Sequence, residues 1–103
     1  GWVFDQGNWY YHALSGAQAT GWVLDGVSWY YLTPGTGQMA TGWVKDGSHW
    51  YYLNPANGKM KTGWHYEDGS WYYLKPGSGQ MATGRLWIVW KYYRFADNGK
   101  LIR

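Results

Sequence analysis

Tryptophan pairs seven residues apart recur along this chain, at Trp2 and Trp9, Trp22 and Trp29, Trp43 and Trp50, and Trp64 and Trp71. After each second Trp comes a tyrosine pair: Tyr10-Tyr11, Tyr30-Tyr31, Tyr51-Tyr52 and Tyr72-Tyr73. The negative face of an aromatic ring attracts an organic cation, and the indole does so best. Several rings around a quaternary ammonium exclude water and need supply no hydrogen bond, which suits a cation that can accept none. Each contact is worth roughly 0.5–2 kcal/mol. Three rings then give about 2–5 kcal/mol, an affinity in the millimolar range. A polymer that repeats its own ligand would strengthen this through effective concentration.

Catalytic chemistry is poorly supplied by comparison. The six carboxylates are Asp5, Asp25, Asp46, Glu67, Asp68 and Asp97, and most fall at turns, where Asp serves local hydrogen bonding. Glu67 and Asp68 are adjacent and point apart in a strand or turn, so they do not form a glycosidase pair. His12, His49 and His65 occupy non-equivalent places with no metal-ligand spacing, and there is no Cys. The glycines have the spacing of turns, not of a phosphate loop or nucleophile elbow. The reading is a non-enzyme without cofactor or metal. Net charge is +3, but Lys45, Lys59, Lys61, Lys75 and Arg85 are scattered, with only a mild gathering toward Arg103. No basic groove exists for nucleic acid, and no apolar run reaches membrane-spanning length. The chain opens on Gly1-Trp2 without a signal peptide, as a mature piece or an excised module would.

The elements that must position these rings follow from the period. Gly-Trp opens a unit at residues 1, 21, 42 and 63, and a degenerate fifth unit opens at Gly84-Arg85, giving steps of 20, 21, 21 and 21 residues. The chain therefore reads as one repeat module over 1–103, with repeats 1–20, 21–41, 42–62, 63–83 and a capping repeat 84–103. Within a unit, two short aromatic or β-branched runs flank Asp25-Gly26, Asp46-Gly47 or Asp68-Gly69, a hairpin signal. Gly/Pro-containing stretches such as 33–37 lead to the next unit. A lone hairpin is marginal in water. The expected fold is all-β, a solenoid of about five stacked β-hairpins of 20–21 residues each. Strand alternation puts Trp50 and Tyr52 on one face and Tyr51 and Leu53 on the other. The Tyr51/Leu53 face is expected to be core, leaving the Trp and the second Tyr for a ligand.

The pattern GW(x)6WYYL, a Gly loop, Met and then Thr-Gly-Trp, as in Gly42–Trp64, resembles the choline-binding repeat of Gram-positive surface proteins, autolysins and phage lysins. The resemblance implies cages built from two Trp of one repeat and one Tyr of the next. Carried over, Trp2 and Trp9 go with Tyr31, Trp22 and Trp29 with Tyr52, and Trp43 and Trp50 with Tyr73. Met39, Met60 and Met81 are wall candidates, each unassigned to a cage. The first repeat lacks the Met, with Ala19 near its place. A fourth site on Trp64 and Trp71 depends on whether the last repeat offers Arg94, in ungapped alignment, or Trp90 and Tyr92, in a shifted register. The implied partner is choline on a teichoic acid at the cell surface, held non-covalently. Related repeats grip glucans, so carbohydrate stands as the alternative ligand, and a purely structural, consensus-built scaffold as a third. The apolar run 86–90 is expected to cap the stack or to pair two copies as a homodimer.

Overall fold

The computed structural model describes residues 1–102 and is built entirely from strands, turns and loops. Its ten strands are β1 (Trp2–Asp5), β2 (Asn8–Tyr11), β3 (Gly21–Asp25), β4 (Ser28–Leu32), β5 (Gly42–Asp46), β6 (His49–Leu53), β7 (Gly63–Glu67), β8 (Ser70–Leu74), β9 (Gly84–Ile88) and β10 (Lys91–Phe95). Consecutive strands form five two-stranded sheets, one per repeat. Among the described residues there is no helix, as the absence of helical periodicity requires.

Register explains the turns, and it moves one expected feature. Asp25 pairs with Ser28, so Asp25 ends its strand and the two-residue turn is Gly26-Val27. Gly26 alone has positive φ there, at 64°, as a turn with glycine at its first central position requires. Asp68-Gly69 does occupy its turn, with both φ values positive, and Gln6-Gly7 does the same in the first hairpin. In the fifth hairpin the turn is Val89-Trp90, at φ 41° and 68°, where neither residue is one that favours this region.

After its second strand each repeat turns through a tight loop and returns to bridge its own strand end. The bridges are Leu32 with Met39, Leu53 with Met60, Leu74 with Met81, and Phe95 with Leu101. In the first repeat the bridge is His12 with Gln18, so Gln18, not Ala19, stands at the methionine position.

The chain divides into two compact units. One comprises Gly1–Val44 and Leu53–Met60, the other Lys45–Tyr52 and Lys61–Arg103. Inside each unit, one repeat is tied to the one before by a backbone bond from the bridge residue. In the first unit the Met39 amide donates to the Trp9 carbonyl and Met60 to Trp29, both at 2.8 Å. In the second, Met81 donates to Trp50 and Leu101 to Trp71, again at 2.8 Å. These bonds join successive repeats, as a stack requires.

The buried residues are few. Leu32, Leu53 and Leu74 are fully enclosed, as the alternation reading expects. The tyrosines reverse that reading: Tyr31 and Tyr52 are buried, at 7% and 9% exposure, while the first Tyr of each pair is only half-buried. In the second unit Ala82, Ile88 and Phe95 form a cluster with Trp64, Tyr73, Leu86, Tyr93 and Leu101 packed around it. Gly58 is needed for close packing as well as for its φ of 78°. A Cβ there would lie 2.5 Å from the Met39 sulfur, so only glycine lets the loop settle on that side chain.

Candidate functional site

The first unit holds a cavity of about 530 Å³ lined chiefly by Trp2, Trp9, Tyr30 and Met39. Trp2 and Trp9 come from the two strands of the first hairpin, and Trp9 is left 42% exposed. Tyr30 stands edge-on to Trp2, with ring centroids 4.8 Å apart at 70°. The Trp2 indole N–H donates to the Asp25 carboxylate at 2.9 Å, fixing the ring from the next repeat. Met39 closes a wall, held by its backbone bond to Trp9, and Pro55, Ala56 and Asn57 complete the rim.

The tyrosine that lines this cavity is therefore Tyr30, and Tyr31, the residue expected there, does not line it. Trp22 pairs with Tyr31 and Val23 with Tyr30 across the second hairpin, so the two tyrosines face opposite ways. Tyr31 stands edge-on against its own Trp22 at 4.9 Å and is enclosed. The alternation reading placed the second Tyr correctly on the tryptophan face. The cage is completed by the other face of the following hairpin.

The second unit repeats the arrangement in a cavity of about 390 Å³ lined by Trp64, Trp71, Tyr93 and Leu101. Trp64 lies 6.1 Å from Trp71 at 89° and 5.0 Å from Tyr93 at 70°. Tyr73 packs edge-on to Trp64 at 5.0 Å, as Tyr31 does to Trp22. The last repeat keeps ungapped register, with Arg94 opposite Arg85 and Tyr93 opposite Leu86. Tyr92 thus does not line this cavity, and the shifted register does not occur. Leu101 takes the methionine position. The sequence carried that signal, since Asn98-Gly99-Lys100-Leu101 parallels Asn57-Gly58-Lys59-Met60.

The profile of the choline-binding repeat family matches residues 1–42 and 40–86. The chain belongs to the choline-binding repeat family. The structure of CbpJ from Streptococcus pneumoniae is 44% identical over 98% of this chain, with a TM-score of 0.94. Choline binding protein F from the same organism is 43% identical over 97%, with a TM-score of 0.91. The pneumococcal endolysin of phage Cp-1, solved in complex with choline, is 38% identical over 97%, with a TM-score of 0.67. No curated protein sequence matches. The chain spans 34%, 33% and 30% of those three solved chains, in the order given.

The remaining aromatics of the choline-binding repeats occupy equivalent places within their own hairpins. Trp22 and Trp43 are half-buried, and Trp29 and Trp50 are exposed at 39% and 38%, matching Trp9 and Trp71. Met60 and Met81 are bridge residues whose amides hold the Trp29 and Trp50 carbonyls, which assigns each methionine to the second Trp of the preceding repeat. Tyr52 is buried with its ring 4.0 Å from that of His65. Trp90 is 85% exposed at the fifth turn and lines neither cavity.

His65 is the polar residue of this interior. It sits where the other repeats carry Val3, Val23, Val44 and Leu86. Lys61 can only donate, so the His65 Nδ1 accepts from it at 3.0 Å and the ring proton on Nε2 goes to Glu67, also at 3.0 Å. Burial raises the Tyr52 phenol above its usual value, helped by the Glu67 charge and by a hydrogen bond to that carboxylate. Tyr72 is raised likewise by burial and then by Glu67 and Asp68. A solvent-poor, hydrogen-bonded cluster of this kind fixes a hairpin and supplies no free nucleophile or base. Among the described residues no group of His, Asp and Glu could hold a metal ion.

Proposed function

We propose that this chain is a cell-wall-binding module that recognises choline residues of teichoic acids through its aromatic cages. One observation carries the reading: two tryptophans, a tyrosine and an apolar wall meet at one cavity in each unit, at equivalent positions of the repeat. Ring faces and an apolar wall suit a trimethylammonium group, which has charge to attract and no hydrogen to donate. The Asp25 carboxylate beside Trp2 adds negative charge at the first cage. The likeness to choline binding protein F and to the choline-bound endolysin supports the same ligand. Weak single cages suit a repeating polymer, which engages several at once. On this reading the module holds a secreted parent protein to the wall without a covalent bond.

Retention on a quaternary-amine resin tests the proposal. Free choline is expected to elute the protein where sodium chloride of equal ionic strength does not. Passage straight through that resin, with retention on dextran, would make the ligand a glucan and end the choline reading.

A second reading concerns self-association. Of the apolar run 86–90, Leu86 and Ile88 pack into the cluster with Ala82 and Phe95, while Trp87, Val89 and Trp90 are exposed at 51%, 82% and 85%. Pairing of two copies through this outward half predicts a dimer in sedimentation that Trp90→Ser converts to monomer.

A further inference from the structure

The fifth hairpin departs from the others at the two positions where their paired aromatics stand. Gly84 opposite Phe95 corresponds to Gly21 opposite Leu32, so Arg85 takes the place of Trp22 and Arg94 that of Tyr31. In the second hairpin those positions hold two rings in edge contact. In the fifth they hold two guanidinium groups on one sheet face, directly across from each other. Like charges placed so are destabilising unless something of opposite sign comes between them.

No carboxylate of the described residues does so. The ion pair found among them joins His65 and Glu67, and Asp97 is the one acid in residues 84–103. Arg85 instead lies over the Tyr92 ring, its guanidinium carbon 3.9 Å from the centroid. A guanidinium held over a ring is anchored through its flat face, leaving its rim of N–H donors free. Arg85, Arg94, Tyr92 and Tyr93 line a cavity of about 280 Å³. The ring that attracts a cation in the other repeats is thus covered by the chain's own cation, and the charge offered to solvent is inverted.

We propose that this cleft binds the oxyanion of a phosphate group. A carboxylate has two oxygens and is satisfied by one guanidinium fork. The tetrahedral phosphate oxygens can accept from two guanidinium groups at once and neutralise both. The seat meets the second aromatic cavity at Tyr93 but takes none of its tryptophans, so it does not depend on the choline reading.

Titration followed by ¹⁵N–¹H NMR tests it, reading the Arg85 and Arg94 side-chain Nε–H signals at constant ionic strength. Inorganic phosphate is expected to move both signals to saturation, while sodium chloride and acetate move them weakly and without saturation. Glycerol 3-phosphate, as a second arm, separates a seat open to esters from one that admits free phosphate alone; saturation by either upholds the seat. Arg94→Gln is expected to weaken binding about tenfold, with its unchanged amide spectrum as the check on folding. Arg85→Lys keeps the charge but not the flat fork and is expected to weaken it severalfold. Equal response to chloride, equal saturation by acetate, or an unaltered Arg94→Gln titration overturns the proposal. Choline is expected to move the Trp2 indole signal and phosphate to leave it still, so the two sites succeed or fail separately.

Discussion

The aromatic cavity in the first unit and that in the second have the same three kinds of ring, two Trp and a Tyr, and differ in what supports them. Trp2 is tied by its indole N–H to Asp25, and the matching position in the fifth repeat is Ile88, a buried aliphatic residue. Trp64 is fixed by packing instead, against Tyr73, Tyr93 and Phe95 at 5.0, 5.0 and 6.0 Å. Met39 lines one cage and Leu101 the other. One ring arrangement is thus reached by a charged tether in one unit and by an apolar cluster in the other. The difference teaches that the three rings recur in both cavities, while their supports vary and change the charge beside them.

The largest expected effect separates the two tyrosines of a pair. Tyr31→Ala removes an enclosed ring and is expected to cost about 3 kcal/mol of stability, read as a drop in thermal midpoint. Tyr30→Ala is expected to leave the midpoint nearly unchanged and to weaken choline binding at the first cage by roughly 0.5–2 kcal/mol. The opposite outcome, stability lost with Tyr30 and binding lost with Tyr31, would restore the assignment made from strand alternation.

Alkaline titration comes next, because the second unit alone carries the His65 cluster. Tyr52 and Tyr72 have raised folded-state values, so the folded protein holds their protons more tightly than the unfolded chain. Their contribution is complete below about pH 10, the ordinary phenol value, and is lost as pH rises through the raised values. Phenol-linked chemical-shift changes around His65 are therefore expected only above that pH, as the raised values require. Glu67→Gln removes part of the cause and is expected to bring the tyrosine titrations back toward the ordinary value. Tyrosine titrations unmoved in Glu67→Gln would argue that burial acts alone.

Asp25→Asn is expected to bring the first cage toward the second. Loss of one exposed charge should weaken its choline affinity by about 0.5–1 kcal/mol, with the Trp64 cage untouched; equal weakening at both cages would deny the tether a local role. Smallest of all, Leu101→Met should move the second cage toward the first, by at most about 0.5 kcal/mol, measurable as a shift in the Trp71 titration midpoint.

The period, the hairpins and the tryptophans were legible because each repeat states them locally: Gly-Trp opens a strand, a short turn reverses it, and alternation sorts its faces. The partner of each cage was less so. Alternation says that Trp22 and Tyr31 share a face, but it does not say which face the preceding hairpin meets, and that choice selects Tyr30. Asp25-Gly26 reads as a turn pair, yet glycine at the first central position draws the turn one residue onward and leaves Asp25 free to reach Trp2. Leu101 was overlooked through its chemistry, since an aliphatic residue can form the same wall as methionine and only its spacing after Asn98-Gly99 marks it.

The fit of Met39 against Gly58 has a counterpart in Met81 against Gly99, where a Cβ would come within 2.3 Å of the sulfur. Each contact joins a side chain in one repeat to a bare backbone in the next, and the third repeat carries both the glycine and a methionine of its own. A segment copied whole therefore brings its lock and its key together. A row of this kind lengthens by duplication without new complementarity having to arise, whereas a single change at the glycine is felt one repeat upstream.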